Sequence, residues 1–276
     1  KNNNIPCLIL SYDELLLLLN NYKGEIFINH LFHYNFKKVV DIIENLKSKN
    51  NNILKIMLHD YYYINIYPQP IEKEFENSLD LNKARILKLC NSISCPCHWV
   101  RDKYLKYVSN ISIDVKYHIN YNTIIKSHKH SPNNFKVLIY GEINKFKGED
   151  IIIKLINSSY KLNFVVHGVH DLENYFHNNN NVILNGKYKN EDMLEIIKKE
   201  DPSVILFTSV FAETFCYALD HAIKSGYPVI CSNFGSFVEL SNFIHYKLLI
   251  DPYELTETMI LNFINGLPVD CYNNDK

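Results

Sequence analysis

The sequence predicts an α/β fold built on parallel sheets, and three observations carry that expectation. Short apolar runs rich in β-branched residues, such as 204–207 and 229–231, lack polar alternation, the mark of strands buried on both faces. Between such runs lie segments whose apolar residues recur at helical spacing. Strand and helix alternate along most of the chain, a rhythm that implies right-handed crossovers between parallel neighbours.

Taken in order, residues 7–11 read as a strand and 12–21 as a helix, with Ser11 as N-cap and Glu14 at its third position. Residues 25–29 form a strand, 36–49 a helix, and 53–58 a strand that ends in His59-Asp60. A helix over 78–91, a short extended piece at 92–95, a helix over 99–108 and a strand at 113–117 follow. The polar, basic stretch 121–134, with His128, Lys129, His130, Ser131 and Pro132, reads as a linker. A second alternation then begins: strand 136–140, helix 149–158, strand 162–166, helix 171–177, strand 182–184 and helix 191–199. Strand 204–207 leads through a loop at 209–212 into a helix over 213–225, with Phe215, Leu219, Ala222 and Ile223 on one face and Gly226 as its stop. Strand 229–231 and a last helix over 255–264 complete the pattern, and asparagine runs at 2–4, 50–52 and 178–181 read as surface loops.

Composition narrows the function classes. With 276 residues and 47% hydrophobic content, the chain can fill one large core or two small ones. A net charge of −1 gives no global basic field, which argues against nucleic acid or an anionic membrane as partner. The run Leu15 to Leu19 is too short to span a bilayer and follows Asp13-Glu14, so it reads as neither membrane span nor signal peptide. A reducing, cytoplasmic setting is the expectation. Seven cysteines without regular spacing do not form a disulfide framework. Cys90, Cys95, Cys97 and His98 invite a zinc reading, but no second half of a ligand set accompanies them; buried thiols and no metal are expected. The chain starts at Lys1 rather than Met, so it reads as a piece of a longer one.

No DxD, P-loop, GxGxxG or GxSxG pattern is present. Chemistry concentrates instead at two strand ends. Glu213 sits at a strand–loop–helix junction, and ligands of open α/β sheets bind at the carboxyl ends of strands. The stretch from Gly141 to Gly148 follows the first strand of the second half and opens a helix; helix N–H groups plus Lys147 form a natural pyrophosphate site. The plain alternatives are a carboxylate favoured by a helix dipole and an ordinary turn with solvated lysines.

The spacing of Glu213, Phe215, Ala222, Gly226-Tyr227-Pro228-Val229, Gly235 and Glu239 resembles the donor-binding signature of retaining GT-B glycosyltransferases of the family-4 type, the glycosyl transferases group 1. The loop carrying Lys147 resembles that family's GRxxxxKG turn, and His59-Asp60 resembles its His-Asp pair. Two positions depart: the second glutamate of the family's Glu-x7-Glu falls at His221, and its arginine falls at Glu142. The resemblance covers residues of about 53 to 252 and is strongest from Lys136 to Glu239.

What the resemblance implies is a pair of Rossmann-like βα domains facing each other across a cleft. Residues 1–130 would form an acceptor-side domain plus linker, short for the family, and 131–276 a donor domain. The reaction implied is metal-independent, retaining transfer of a sugar from a nucleotide-diphosphate sugar to an unknown glycan, protein or small-molecule acceptor, without a cofactor. Catalytic roles fall on His59 and Glu213. Donor binding falls on Gly141, Lys147, Gly148, Tyr188, Thr214, Phe215, Cys216 and His221, with His30 and His33 as weaker candidates. The competing expectation, motivated by Glu142, His221 and the short N-terminal half, is a non-catalytic GT-B-like binding module.

Overall fold

The computed structural model describes residues 12–20, 22–32, 34–50, 52–119, 135–176 and 179–268. Within them the chain builds two parallel sheets. The first is formed by α1 (Tyr12–Asn20), β1 (Glu25–Ile28), α2 (Phe36–Asn50), β2 (Ile53–Met57), α3 (Arg85–Leu89), β3 (Ser92–Cys95), α4 (His98–Tyr107) and β4 (Asp114–Val115), its strands lying in sequence order. The second is formed by β5 (Lys136–Glu142), α5 (Glu149–Ser158), β6 (Asn163–Val169), β7 (Val182–Asn185), α6 (Met193–Glu200), β8 (Val204–Leu206), α7 (Tyr217–Ser225), β9 (Val229–Ser232), α8 (Ser236–Leu240), β10 (Lys247–Ile250) and α9 (Glu257–Asn265). Its order, β7-β6-β5-β8-β9-β10, is the 3-2-1-4-5-6 arrangement of a doubly wound sheet, whose crevice opens between β5 and β8.

β5 shows why the second sheet is buried on both faces. Val137 and Ile139 point into a core with Ile152, Leu155, Ile260 and Ile264, supplied by α5 and α9. Leu138 and Tyr140, alternating with them, enter a second core with Ile197, Leu219 and Ile223 from α6 and α7. Each such aliphatic side chain contributes about 1.5–3 kcal/mol by leaving water. The first sheet has its own core around Leu54, Ile56, Tyr61, Phe75, Ile86 and Tyr104, and that core also takes Ala212 and Phe234 from the other half. Further ties cross between the halves: Glu72 N–H donates to Val210 O at 2.9 Å, and Lys73 pairs with Asp251 at 3.4 Å.

The structure corrects four local expectations. The helix predicted over 78–91 is broken into short turns and the five-residue α3, because Leu79 is extended and bridged to Asn65 while Asp80 N–H bonds Ile64 O at 3.0 Å. Tertiary pairing there overrides helical propensity. The helix expected over 171–177 is one 3-10 turn, Leu172–Tyr175, which buries only Leu172, with Phe176 buried just after it; His177 lies outside the described residues. α7 begins at Tyr217 rather than at 213, because the carbonyls of Glu213 and Thr214 are taken by Ser236 N–H and Cys97 Sγ. β10 and the short α8 were not anticipated. The strand expected at 7–11, the Ser11 cap, His33 and the linker at 121–134 all lie outside the described residues.

No helix among the described residues is long and apolar enough to cross a membrane.

Candidate active site

The site assembles where β5 and β8 end. β5 continues through Gly141 and Glu142, and the chain then turns on Asn144, whose Oδ1 accepts the N–H groups of Phe146 at 3.0 Å and Lys147 at 3.1 Å. This closes a single 3-10 turn, Lys145–Lys147, before α5. The loop after β8 is stitched onto it: Val210 N–H donates to Phe146 O at 2.9 Å, and Thr208 Oγ1 donates to Lys147 O at 2.9 Å. Gly148 sits between the two loops with φ +82°, and a Cβ there would lie 2.2 Å from Thr208 O. Gly148→Ala is therefore expected to destabilise the chain by about 1–3 kcal/mol, since it adds left-handed strain to a backbone clash. A denaturant midpoint equal to the parent's would show that the loops are not joined in this way.

Those loops bring Lys147 to Glu213. Lys147 Nζ lies 2.6 Å from Glu213 Oε2, with the carboxylate side chain 4% exposed and the lysine side chain 29%. Ser209 Oγ donates to Glu213 Oε1, and Ser209 is itself held by Ser232 Oγ on its carbonyl at 2.6 Å. Burial, the largest single influence, would lower the Lys147 ammonium, but the Glu213 charge and hydrogen bond, with Cys216 and Glu142, together outweigh it and hold the group above the usual lysine range. The helix-start N–H groups expected to serve a diphosphate are engaged within the loop: Gly148 N–H bonds Lys145 O at 3.3 Å and Glu149 N–H bonds Asn144 O at 3.1 Å, while Asn144 Oδ1 takes the amides of Phe146 and Lys147. The half-buried Lys147 side chain is the cationic group of this loop that lines the cavities.

Two cavities share Lys147 and Glu213 as a common wall. The smaller, about 50 Å³, is lined by Gly141, Glu142, Cys216 and Ala218 among others. The larger, about 200 Å³, is lined by His59, Asp60, His118, Thr214, Phe215 and Tyr217 among others. His59 stands at the end of β2, and its carbonyl accepts Thr214 Oγ1 at 2.5 Å, which ties the two sheets together at the cavity. Burial lowers the His59 pKa, helped by His118 and then His30. His30 reaches the site indirectly, with Nε2 3.2 Å from Asp60 Oδ2.

The structure thus brings His59, Gly141, Lys147, Glu213, Thr214, Phe215 and Cys216 to one pair of cavities, with Gly148 as the joint behind them. Tyr188 and His221 line neither. Tyr188 packs edge-on against Tyr140, which does line the smaller cavity. His221 is buried on α7, one turn beyond Ala218, and its Nδ1 has no hydrogen-bond partner among the described residues. Glu239 also stands away from the cavities: its Oε2 accepts His98 N–H at 2.7 Å, while Oε1 meets His98 Nδ1 at 2.6 Å and Tyr117 OH.

Sequence reasoning missed His118, Ser209 and Tyr217. His118 shared one signal with His59, a histidine just past a strand; Ser209 gave none. Cys95 and Cys97 donate to the carbonyls of Cys97 and Thr214, and burial pushes their thiols up to about 11 and about 12. Among the described residues no three His, Cys, Asp or Glu side chains converge on one point.

Two parallel α/β sheets, the second of them doubly wound, with a site at its switch point fit the GT-B class, and solved structures agree. A point variant of TarM from S. aureus, in complex with fondaparinux, α-GlcNAc-glycerol and UDP, superposes with a TM-score of 0.57 at 15% identity, covering 86% of this chain and 46% of TarM. HepE from Anabaena, with UDP and glucose, gives 0.58 at 16% identity over 92% of this chain and 72% of HepE. The pneumococcal O-GlcNAc transferase GtfA, with UDP and GlcNAc, gives 0.58 at 14% identity over 91% and 51%. The chain thus spans about half the length of TarM and GtfA. A search of curated proteins by sequence gives no match. The glycosyl transferases group 1 family matches residues 120–264, just over half of the sequence, and the chain belongs to that family.

Proposed function

We propose that the chain is a metal-independent, retaining glycosyltransferase that uses a nucleotide-diphosphate sugar. The observation that carries this is the meeting of Lys147 and Glu213 at the switch point, sharing a cavity with His59 of the other sheet. When the bond between anomeric carbon and diphosphate breaks, its electron pair leaves with the phosphate and the sugar gains oxocarbenium character. Lys147 stabilises the departing charge, Glu213 and His59 hold the sugar, and the acceptor oxygen attacks from the side of departure, its hydroxyl proton passing to the departing phosphate oxygen. Residues 131–276 supply the donor side and 1–130 the acceptor side, in a cytoplasmic setting. HepE and GtfA were solved with UDP, so uridine diphosphate sugars are the first donors to try.

A second reading is a non-catalytic binding module, favoured by Glu142, which lines the smaller cavity where the family's arginine would meet a diphosphate. Calorimetric titration of UDP- and GDP-sugars, with an assay for released nucleoside diphosphate, separates the two. Turnover supports the enzyme, binding without turnover supports the module, and neither overturns both.

His221 offers a sharper check. Burial lowers its pKa, so at neutral pH the ring is uncharged and accepts at one nitrogen only. Ribose hydroxyls bind it less well than a carboxylate, and binding falls as acid below the ordinary histidine range protonates the ring. His221→Glu is expected to tighten nucleotide binding and flatten its pH dependence between about pH 5 and 7.5. Equal affinity for both proteins across that range would remove residue 221 from the donor site.

A further inference from the structure

We propose that His118 is a specificity-determining residue that contacts the transferred sugar in the larger cavity. The proposal rests on the glycosyltransferase reading and deepens it. His118 belongs to the first half of the chain, just past β4, yet two of its three aromatic neighbours come from the second half. Its ring meets Phe215 edge-on at 4.9 Å and 88°, stacks with Tyr217 at 6.0 Å and 23°, and runs parallel to His59 at 5.7 Å and 6°. A ring held on three sides is already ordered, so a ligand loses little entropy in using it. All four rings line the same cavity as Glu213 and Lys147.

The cavity's size and chemistry suit one sugar ring. Its volume of about 200 Å³ is below the range of about 300–1,000 Å³ usual for larger ligands. Asp60, Gln69, Glu213 and Lys147 supply polar atoms, and the aromatic side chains supply apolar faces. Burial lowers the His118 pKa, so the ring is neutral and offers one N–H donor and one nitrogen acceptor, which matches a hydroxyl. Sugars that differ in one hydroxyl are told apart where a fixed polar group meets that hydroxyl, because the wrong isomer leaves the group unpaired.

The test compares the parent with His118→Phe, which keeps an aromatic ring, and His118→Ala. UDP-glucose, UDP-galactose, UDP-N-acetylglucosamine and GDP-mannose serve as donors in a hydrolysis assay, with UDP and GDP as sugar-free controls for binding. His118→Phe is expected to melt with the parent, to lose about tenfold or more in kcat/KM for the preferred sugar, and to narrow the ratios among sugars. Affinity for the sugar-free diphosphate should stay within about twofold in both variants. An unchanged sugar ranking at unchanged rate overturns the proposal, as does a parallel fall in diphosphate affinity and melting temperature. A parent that neither binds a diphosphate nor hydrolyses any of the four donors overturns the glycosyltransferase reading itself, and this is seen before any variant is made.

Discussion

Glu213→Gln is expected to lower turnover by roughly 10²–10³-fold while leaving affinity for the nucleoside diphosphate equal to or tighter than the parent's. The two halves of that result have different causes. Turnover falls because an amide keeps one acceptor oxygen where the carboxylate had two, and because the charge that complements an oxocarbenium-like sugar is gone. Affinity does not fall, because the carboxylate 2.6 Å from Lys147 Nζ competes with a phosphate for that cation. Removing the competitor frees the lysine. Hydrolysis of a UDP-sugar and calorimetry with UDP read the two effects separately. Loss of UDP binding in step with turnover would mean that Glu213 supports the pocket rather than the reaction.

Lys147→Ala is expected to cost about 3–5 kcal/mol of stability at neutral pH and tenfold to a hundredfold in diphosphate affinity, on the order of 1–3 kcal/mol. The stability loss comes from the partner left behind. Glu213 is 3% exposed, and without the ammonium its charge keeps Ser209 as its side-chain donor. The carboxylate is then buried without a cation beside it. Burial without a partner disfavours the charged form of a carboxyl, so the cost is least in acid and greatest where the group must stay ionised. The variant should thus approach the parent near pH 4 and fall behind it towards pH 8. Combining Lys147→Ala with Glu213→Gln removes the uncompensated charge and should restore most of the stability. Urea unfolding of the parent, both single variants and the pair at two pH values measures this. Single and double variants of equal stability at pH 8 would show that Glu213 does not depend on the ion pair.

Much of this architecture was legible because parallel strands are covered on both faces and so appear as unbroken apolar runs. The helix Glu149–Ser158 agrees with its expectation at both ends, since Gly148 precedes it and its buried residues, Ile152, Leu155 and Ile156, keep helical spacing. Where the expectation failed, a distant partner decided the local structure. Leu79 is extended because residues 64–66 pair with its neighbourhood, and the carbonyls of Glu213 and Thr214 serve Ser236 and Cys97 instead of a first helical turn. β10 escaped notice as an edge strand with one neighbour, three of its four residues only half-buried. At the site, Glu213, Lys147 and His59 were readable as residues at strand ends. Their convergence was not, because the Thr214–His59 bond joins positions 155 apart in sequence. Ser209 and His118 acquire their meaning only from that convergence.

The Lys147–Glu213 pair also bears on how fast a ligand arrives. An isolated ammonium in a cleft projects a field that draws anions from a distance, whereas an ammonium with a carboxylate at 2.6 Å projects little beyond contact range. The whole chain, at net charge −1, adds no compensating pull. Encounter with a diphosphate is then ordinary unsteered diffusion, with an association rate in the common range of about 10⁵–10⁷ M⁻¹s⁻¹ and little sensitivity to ionic strength. Affinity in such a pocket accumulates after contact, as a long residence, when the phosphate has taken the carboxylate's place on the lysine.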